Sequence, residues 1–458
     1  MKNVAEKIQQ NKTLAVLRAF TEHNAYPAII GAFALICYFL SLPLLAVAVF
    51  ATLFSFTFFF SKDTRSTLSL VLLVVFTLCY KHEPNAYKTV SAFVVYGIFG
   101  SILLASIIFH FVVYPVPKQK HRLLIGFVLF SIGMFIGGVG SEYYRAFNFI
   151  NALSVSAVLL CCYGLFSYTE CDRKDNMLYL ARISAVAICV IATELLHCYV
   201  KNYHFGTKLD GIWKDKIVLG WGMSNFIGEM LAMLMPAVFY LIYKEKHGYL
   251  YYLVAVIGLV AIYFTLSRNA TLFGGGAFCI GLLLNAILKR NWLNWSILVG
   301  IVVCGVVGVC VLNYYGNTFT ELGLTDNGRF DLWGEYMKLF KESPILGVGV
   351  TAYRDTHPGM QLNAHNTVIH MLSGAGIIGL TCYLIHRAQT IVLLLKNPRL
   401  DRLFIGACIV VGVGMSLLSP IFFRLYFLVY YTIFLTMIEK SFGNELPLET
   451  KLQGEKFE

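Results

Sequence analysis

The stretch that decides the fold is residues 217–243, which read IVLGWGMSNFIGEMLAMLMPAVFYLIY. Apolar residues run through it without alternation, and Glu229 is its one charged residue. A helix of about 20 apolar residues crosses the roughly 30 Å hydrocarbon core of a bilayer. A strand of a membrane barrel would instead alternate over about 10 residues. The stretch therefore predicts a membrane-spanning helix.

Similar runs repeat along the chain, and the composition agrees with them. The sequence is 58% hydrophobic and 13% charged, with a mean hydropathy of +0.70, whereas soluble domains carry about 25% charged residues. We therefore predict an all-α, polytopic transmembrane bundle of about 14 (12–14) spans, with a long extracytoplasmic loop between the spans that end near 314 and start near 366. The expected segments are 27–41, 43–61, 66–80, 89–114, 123–140, 147–168, 177–199, 218–243, 249–267, 270–288, 293–314, 366–386, 403–419 and 421–438, with a tight hairpin at Pro43.

Lysine and arginine set the expected orientation, because cytoplasmic loops are enriched in them. A cytoplasmic N-terminus puts most of the basic clusters inside. The predicted organisation is a basic, partly amphipathic cytoplasmic segment at 1–25, a transmembrane domain at 26–439 that includes an outer loop at 315–365, and a cytoplasmic tail at 440–458. Because the basic residues are dispersed at the ends of the predicted spans, we attribute the net charge of +11 to membrane orientation rather than to nucleic-acid binding.

Other classes of site find little support. The twelve cysteines are scattered, mostly within apolar runs, and form no C-x-x-C pair, so we interpret them as small apolar residues and expect no metal centre. No phosphate-binding loop or dinucleotide fingerprint is present, and no cofactor is expected. Glu194 and Glu229 lie within predicted spans but are too sparse for an ion path.

Arg268 ends a predicted span in the sequence Thr265-Leu-Ser-Arg268, where the next span follows almost without a loop. One interpretation is an arginine that snorkels to the interface. The other is a guanidinium fixed in a polar turn, since Asn269 and Thr271 follow, and able to hold a phosphate with two hydrogen bonds.

Arg329 precedes a second candidate element. Trp333, Met337 and Phe340 recur at helical spacing, so an amphipathic helix is expected to start near Gly328 on the outer surface. Arg329 is either an anion-binding residue or an exposed arginine paired with a nearby carboxylate.

His365 and Asn366 stand at the mouth of the predicted span that follows the long loop. A histidine at this boundary can act as a general base near neutral pH, although single histidines are often structural. Gly374, Gly376 and Gly379 follow, and we expect them to admit a neighbouring helix or a lipid chain.

These residues resemble the signatures of a known family. His365-Asn366, nine residues, then Gly376-Ile-Ile-Gly379 resembles the H-N-x9-G-x-x-G motif of the bacterial O-antigen ligase/O-antigen polymerase superfamily. Thr-Leu-Ser-Arg268 resembles its Ser-Arg turn. Gly328-Arg329 and Pro344-Ile-Leu-Gly-Val-Gly349 resemble the periplasmic segment before its histidine. The likeness covers about 265–385.

The resemblance implies a metal-independent glycosyltransferase of the bacterial inner membrane with a periplasmic active face. It implies an undecaprenyl-pyrophosphate-linked glycan donor and, for a ligase, a lipid A-core sugar hydroxyl as acceptor, in lipopolysaccharide biosynthesis. His365 would be the catalytic base and Arg268 and Arg329 would bind the pyrophosphate. Asn366, Gly376 and Gly379 would support them, and the glycine flank would admit the polyprenyl tail.

The chemistry of these residues fits that reaction. A pyrophosphate leaving group needs charge stabilisation more than protonation, which arginines supply without a metal. Direct displacement at the anomeric carbon inverts it, since double displacement needs a carboxylate nucleophile. The alternatives are a repeat-unit polymerase of the same fold and, from other classes, a lipid-linked oligosaccharide transporter or an envelope scaffold. The notable polar residues cluster at one outer face and no internal repeat is evident, which favours an enzyme over a transporter. The local likeness around Arg268 and His365 favours a ligase over a polymerase.

Overall fold

The computed structural model describes residues 2–78, 90–116, 120–169, 176–202, 214–289, 295–300, 328–352, 363–396 and 398–442, with the single positions 292 and 303. Most of the predicted span 293–314, residues 315–327 and 353–362 of the outer loop, and nearly all of the tail 440–458 lie outside the described residues.

Helices build nearly all of the described chain, as expected for an all-α polytopic protein. They are α1 Lys2–Gln10, α2 Lys12–Glu22, α3 Tyr26–Leu40, α4 Pro43–Phe60, α5 Thr67–Leu73, α6 Val90–Val113, α7 Leu124–Ile136, α8 Ala146–Tyr168, α9 Asn176–Asn202, α10 Ser224–Lys244, α11 Tyr251–Phe264, α12 Arg268–Lys289, α13 Arg329–Glu342, α14 Thr367–Leu395, α15 Leu400–Ser416 and α16 Leu425–Ser441. Short 3-10 turns cover Val74–Thr77, Lys214–Lys216, Gly248–Leu250 and Ile421–Phe423.

Seven of the helices in the described ranges are long and apolar enough to cross a membrane, and an eighth is reached if α2 and α3, bent by 77°, count as one. Three further apolar helical segments are shorter: Thr67–Thr77, Leu124–Ile136 and Gly248–Phe264. The chain is therefore a multi-pass helical membrane protein. The figure of fourteen spans stays a prediction.

Several element boundaries differ from the predicted ones. The stretch 217–243 is not helical throughout, because Val218–Leu219 and Gly222–Met223 pair as a two-residue antiparallel hairpin before α10 begins at Ser224. The predicted segment 421–438 is likewise not one helix, because a 3-10 turn at Ile421–Phe423 precedes Arg424, which stands at the N-cap position of α16 with its guanidinium 4.1 Å from the ring centre of Phe226. The N-terminal segment is two helices joined at Asn11, rather than one.

The core centres on α10. Nearly all of its side chains are buried. Helices α9, α11, α12 and α15 pack around it. Helices with apolar residues on every side suit this central position. The predicted hairpin at Pro43 is present, since α3 ends at Ser41 in a left-handed conformation and Pro43 begins α4. This bundle brings the first turns of α10, α12 and α14 to one end of the molecule.

Candidate functional site

The described part of the predicted outer loop is folded onto the bundle. As expected, α13 begins at Arg329, after Gly328 in a left-handed conformation (φ 71°), and ends just before Pro344. Instead of lying apart on the surface, it buries Tyr336 and Leu339 in a small apolar cluster with Val348, Ala352 and Ala364. The helix is thereby fixed beside the start of α14.

A hydrogen bond ties this helix to the residue that precedes the candidate base. The indole Nε1 of Trp333 donates to the carbonyl oxygen of Ala364 at 2.6 Å. One turn further along α14, the ring of His370 lies 5.5 Å from that of Tyr336 and 4.7 Å from that of Phe423. His370 is therefore a packed residue, while His365 occupies the position between the Trp333 contact and the helix.

The backbone of His365 is held in an unusual conformation. Its φ is +51°, which costs a non-glycine residue about 1–3 kcal/mol and persists only where neighbouring contacts impose it. On one side Ala364 is fully buried. On the other, the Asn366 side chain caps α14 by accepting from the amides of Val368 (2.9 Å) and Ile369 (3.1 Å). Asn366 thus positions His365 through the helix start.

The electrostatic surroundings of His365 suit a base. Partial burial lowers the pKa of His365 below its ordinary 6.5, and the positive charges of Arg329 and Lys214 lower this pKa further. All three effects disfavour the imidazolium, so the ring is neutral near pH 7 and able to accept a proton. Arg329 and His365, 36 positions apart by their numbers, are therefore close enough to interact electrostatically.

Two of the glycines after His365, Gly374 and Gly376, pack closely against another segment of the same chain, residues 344–350. At Gly376, α14 has a non-helical φ of 64° and ψ of −168°, and the segment 344–350 lies along the break. The Val348 amide donates to the carbonyl of Ser373 (3.0 Å) and the Ile377 amide to that of Pro344 (3.0 Å). A Cβ on Gly376 would lie 2.2 Å from the carbonyl oxygen of Ile345.

The expectation that this flank admits a polyprenyl tail is therefore wrong for the side occupied by segment 344–350. Gly374 faces the same segment, since its Cβ would lie 2.7 Å from the Cα of Val350. Gly379 faces α7, where a Cβ on Gly133 would lie 3.2 Å from the Cα of Gly379. Both glycines allow close backbone packing, as expected, but with protein rather than lipid.

Arg268 is the first residue of α12 and is exposed. As predicted, the turn before it is very short, and Leu266 within it has a φ of +55°. Asn269, next to Arg268, donates to the Oε1 of Glu229 at 3.1 Å. Glu229 in turn interacts electrostatically with Arg329 and Lys214. Arg268 therefore lies at the same end of the bundle as Arg329. The two are linked through Asn269, which is next to Arg268, and Glu229, which interacts with Arg329.

The sequence did not connect two residues with this region. Glu229 is recognisable from the sequence as an intramembrane carboxylate, but nothing in its spacing connects it with Arg268 or Arg329. Lys214 lies in the loop before α10, where a single lysine carries no motif. In contrast, the other noticed carboxylate, Glu194, accepts a hydrogen bond from the indole of Trp221 (2.8 Å). Within the described ranges, no three side chains of metal-ligand type come together.

Comparison with known proteins gives one match to this region. Residues 253–384 match a family model described as O-antigen ligase, and this range contains the Arg268 turn, α13, His365 and the break in α14 at Gly376. A search of curated proteins found no match.

Proposed function

We propose that the chain is an O-antigen ligase-type glycosyltransferase, a proposal supported by the match of residues 253–384 to the O-antigen ligase family model. The donor is a glycan on undecaprenyl pyrophosphate. The acceptor is a sugar hydroxyl of the lipid A core. The observation that carries the proposal is the pairing of Arg329 with a partly buried, neutral His365 that is fixed by the bond from Trp333 to Ala364.

The reaction assigns each residue one task. His365 removes the proton of the acceptor hydroxyl, whose oxygen forms a bond to the anomeric carbon of the donor sugar. The bond from that carbon to the pyrophosphate oxygen breaks, and the electron pair leaves with the pyrophosphate. Arg268 and Arg329 bind this anion, and their fixed charges stabilise it as its charge increases. A single displacement inverts the anomeric carbon, and His365 passes its proton to solvent.

The polarity of the molecule supports a periplasmic site at the bacterial inner membrane. Basic residues lie at the far ends of two helices that begin at the candidate site: α10 ends at Lys244, and Lys289 ends α12 and donates to the carbonyl of Ile242 (2.7 Å). Positive charge marks the cytoplasmic side. The end that carries Arg268 and His365 is then the outer one.

Two other functions lead to different expectations. A repeat-unit polymerase would use the same base and arginines with a lipid-linked acceptor. A transporter would use a broken helix to line its substrate cavity. In α14 the backbone groups released at Gly376 are instead bonded to segment 344–350, which favours an enzyme.

The test is the glycan profile of a strain in which the gene is deleted. For a ligase, we expect lipid A-core without any long glycan and an accumulation of lipid-linked polymer. Lipid A-core capped by a single repeat would indicate a polymerase. Loss of periplasmic lipid-linked glycan would indicate a transporter, and an unchanged profile would contradict all three.

Complementation then tests the base. The wild-type gene should restore transfer, whereas the His365→Ala variant should restore none at equal abundance in the membrane. His370→Ala provides a comparison, because His370 is packed between aromatic rings away from the proposed reaction. Transfer by His365→Ala at the wild-type level would exclude His365 as the base.

A further inference from the structure

The turn that presents Arg268 is strained and needs external support. Leu266 has a φ of +55°. This conformation costs a non-glycine residue free energy, so it persists only where neighbouring contacts hold it in place. The Leu266 side chain is 44% exposed, so its own packing supplies little of that constraint. Support must come from the residues on either side of it.

The first two turns of α10 supply part of this support. The Ser224 hydroxyl donates to the carbonyl of Thr265, one position before Leu266. At Gly228 the two elements approach closely, since a Cβ there would lie 2.5 Å from Oγ1 of Thr265 and 2.7 Å from Cβ of Ala270. Any larger residue at Gly228 would push the turn away.

Glu229 contacts Asn269, the residue next to Arg268. Its Oε1 accepts a hydrogen bond from Nδ2 of Asn269 at 3.1 Å, and the same Nδ2 lies 3.2 Å from the carbonyl oxygen of Met415. The carboxylate is buried, so this bond is shielded from water and worth more than an exposed one. Asn269 thereby joins α12 to both α10 and α15.

We propose that Glu229 is a positioning residue that holds the head of α12 so that Arg268 meets the donor pyrophosphate. This inference rests on the function proposed above and adds a residue to it. Glu229 acts through Asn269 and does not contact the reacting atoms. Its role is to fix the position of a guanidinium that otherwise stands exposed at the end of a strained turn.

A matched control is available within the bundle. Glu194 is also a buried carboxylate, on α9, and it accepts one hydrogen bond from a neighbouring side chain, Trp221. Glu194 lies on α9, whereas the contacts of the turn at 265–270 described above come from α10 and α15. Glu194→Ala therefore removes a buried carboxylate of the same kind without disturbing the presentation of Arg268.

The experiment measures transfer by the purified full-length protein in lipid, with the donor and acceptor concentrations varied separately. We expect Glu229→Ala to raise KM for the donor about tenfold, as expected for the loss of a buried hydrogen bond, and to leave KM for the acceptor unchanged. Glu194→Ala should leave KM for the donor unchanged. Glu229→Gln keeps an oxygen for Asn269 and should keep KM for the donor within threefold of wild type.

Exchange of the two partners tests the same bond if Glu229→Ala fails to accumulate. Asn269→Asp sets two buried carboxylates against each other and should raise KM for the donor. Adding Glu229→Gln restores a donor and an acceptor in reversed order and should recover much of the loss. No recovery in the double variant would overturn the positioning role.

The possible failures are distinguishable. A wild-type protein that transfers no glycan would overturn the proposed function, and the positioning role with it. A wild-type protein that transfers glycan, with Glu229→Ala showing a normal KM for the donor, would overturn only the positioning role. Equal increases in KM for the donor in Glu229→Ala and Glu194→Ala would also overturn it, because both would then reflect a general loss of packing.

Discussion

His365 shows how one side chain acquires a function from its immediate surroundings. Burial and two cations disfavour its charged form, while the cap at Asn366 and the bond from Trp333 to Ala364 hold its backbone in a conformation that costs free energy. Arg329, which would bind the leaving pyrophosphate, also helps to keep the base unprotonated. Substrate binding and base strength are therefore coupled through the charge of Arg329.

The coupling predicts a change in the pH dependence when Lys214 is replaced. A base works only when it is unprotonated, so kcat/KM falls as the pH drops through the pKa of His365. Lys214→Met removes a positive charge that lowers this pKa. The pKa should rise, and the acidic limb of the profile should move to higher pH.

The neighbouring Lys216 gives the control. It is exposed in the same 3-10 turn, and its charge is not among the causes of the shift at His365. Lys216→Met should therefore leave the acidic limb in place. An unmoved limb in Lys214→Met would show that this lysine does not influence the base in the working enzyme.

At the scale of elements, the broken helix α14 explains why its motif contains glycine. A continuous helix would keep its backbone groups to itself. The left-handed residue at Gly376 interrupts the ladder, and the freed groups bond to segment 344–350. That segment connects α13 to the bundle, so the break secures the helix that carries Arg329.

Replacement of Gly376 should therefore damage both stability and activity. In Gly376→Ala, a φ of 64° with a ψ of −168° lies in a region used almost only by glycine and costs about 1–3 kcal/mol, and the new Cβ would lie 2.2 Å from the carbonyl oxygen of Ile345. We expect a lower midpoint of thermal unfolding and a loss of glycan transfer. Both can be measured on the purified protein.

Gly275→Ala is the matched comparison within a helix. A Cβ on Gly275 meets nothing within 4 Å, and alanine favours a helix interior by roughly 0.5–1 kcal/mol over glycine. This variant should be as stable as wild type or slightly more so. Equal behaviour of the two variants would mean that the break at Gly376 is not required.

At the scale of the whole molecule, the bundle separates a basic end from a site end. Helices α10, α12 and α14 begin near the candidate site, and α10 and α12 finish in lysines, at Lys244 and Lys289. The orientation proposed from these charges puts Arg329 outside and the α10–α11 turn inside. A multi-pass protein built this way exposes its site to only one compartment.

Cysteine labelling in intact cells tests this orientation. Phe330, which is 67% exposed, begins α13, and Lys246 is exposed in the turn after α10. A membrane-impermeant maleimide that reaches the periplasm should label Phe330→Cys in intact cells, but label Lys246→Cys only after lysis. The parent chain with its own twelve cysteines sets the background, and the reverse pattern would invert the proposed topology.

The sequence by itself determined the helical membrane class, the positions of most helices, the start of α13 and the order of the Arg268, Arg329 and His365 motifs. These features are local, because hydrophobic length, capping and short motifs act over neighbouring residues. Only the tertiary structure decided that Gly376 breaks its helix around segment 344–350, that the hairpin at 218–223 shortens α10, and that Glu229 and Lys214 join the site. Such features depend on which distant segments meet, and a burial pattern along one chain does not specify its partners. The stretch 217–243 illustrates both: its apolar length predicted a spanning helix, while the importance of its one carboxylate came from Asn269 on another helix.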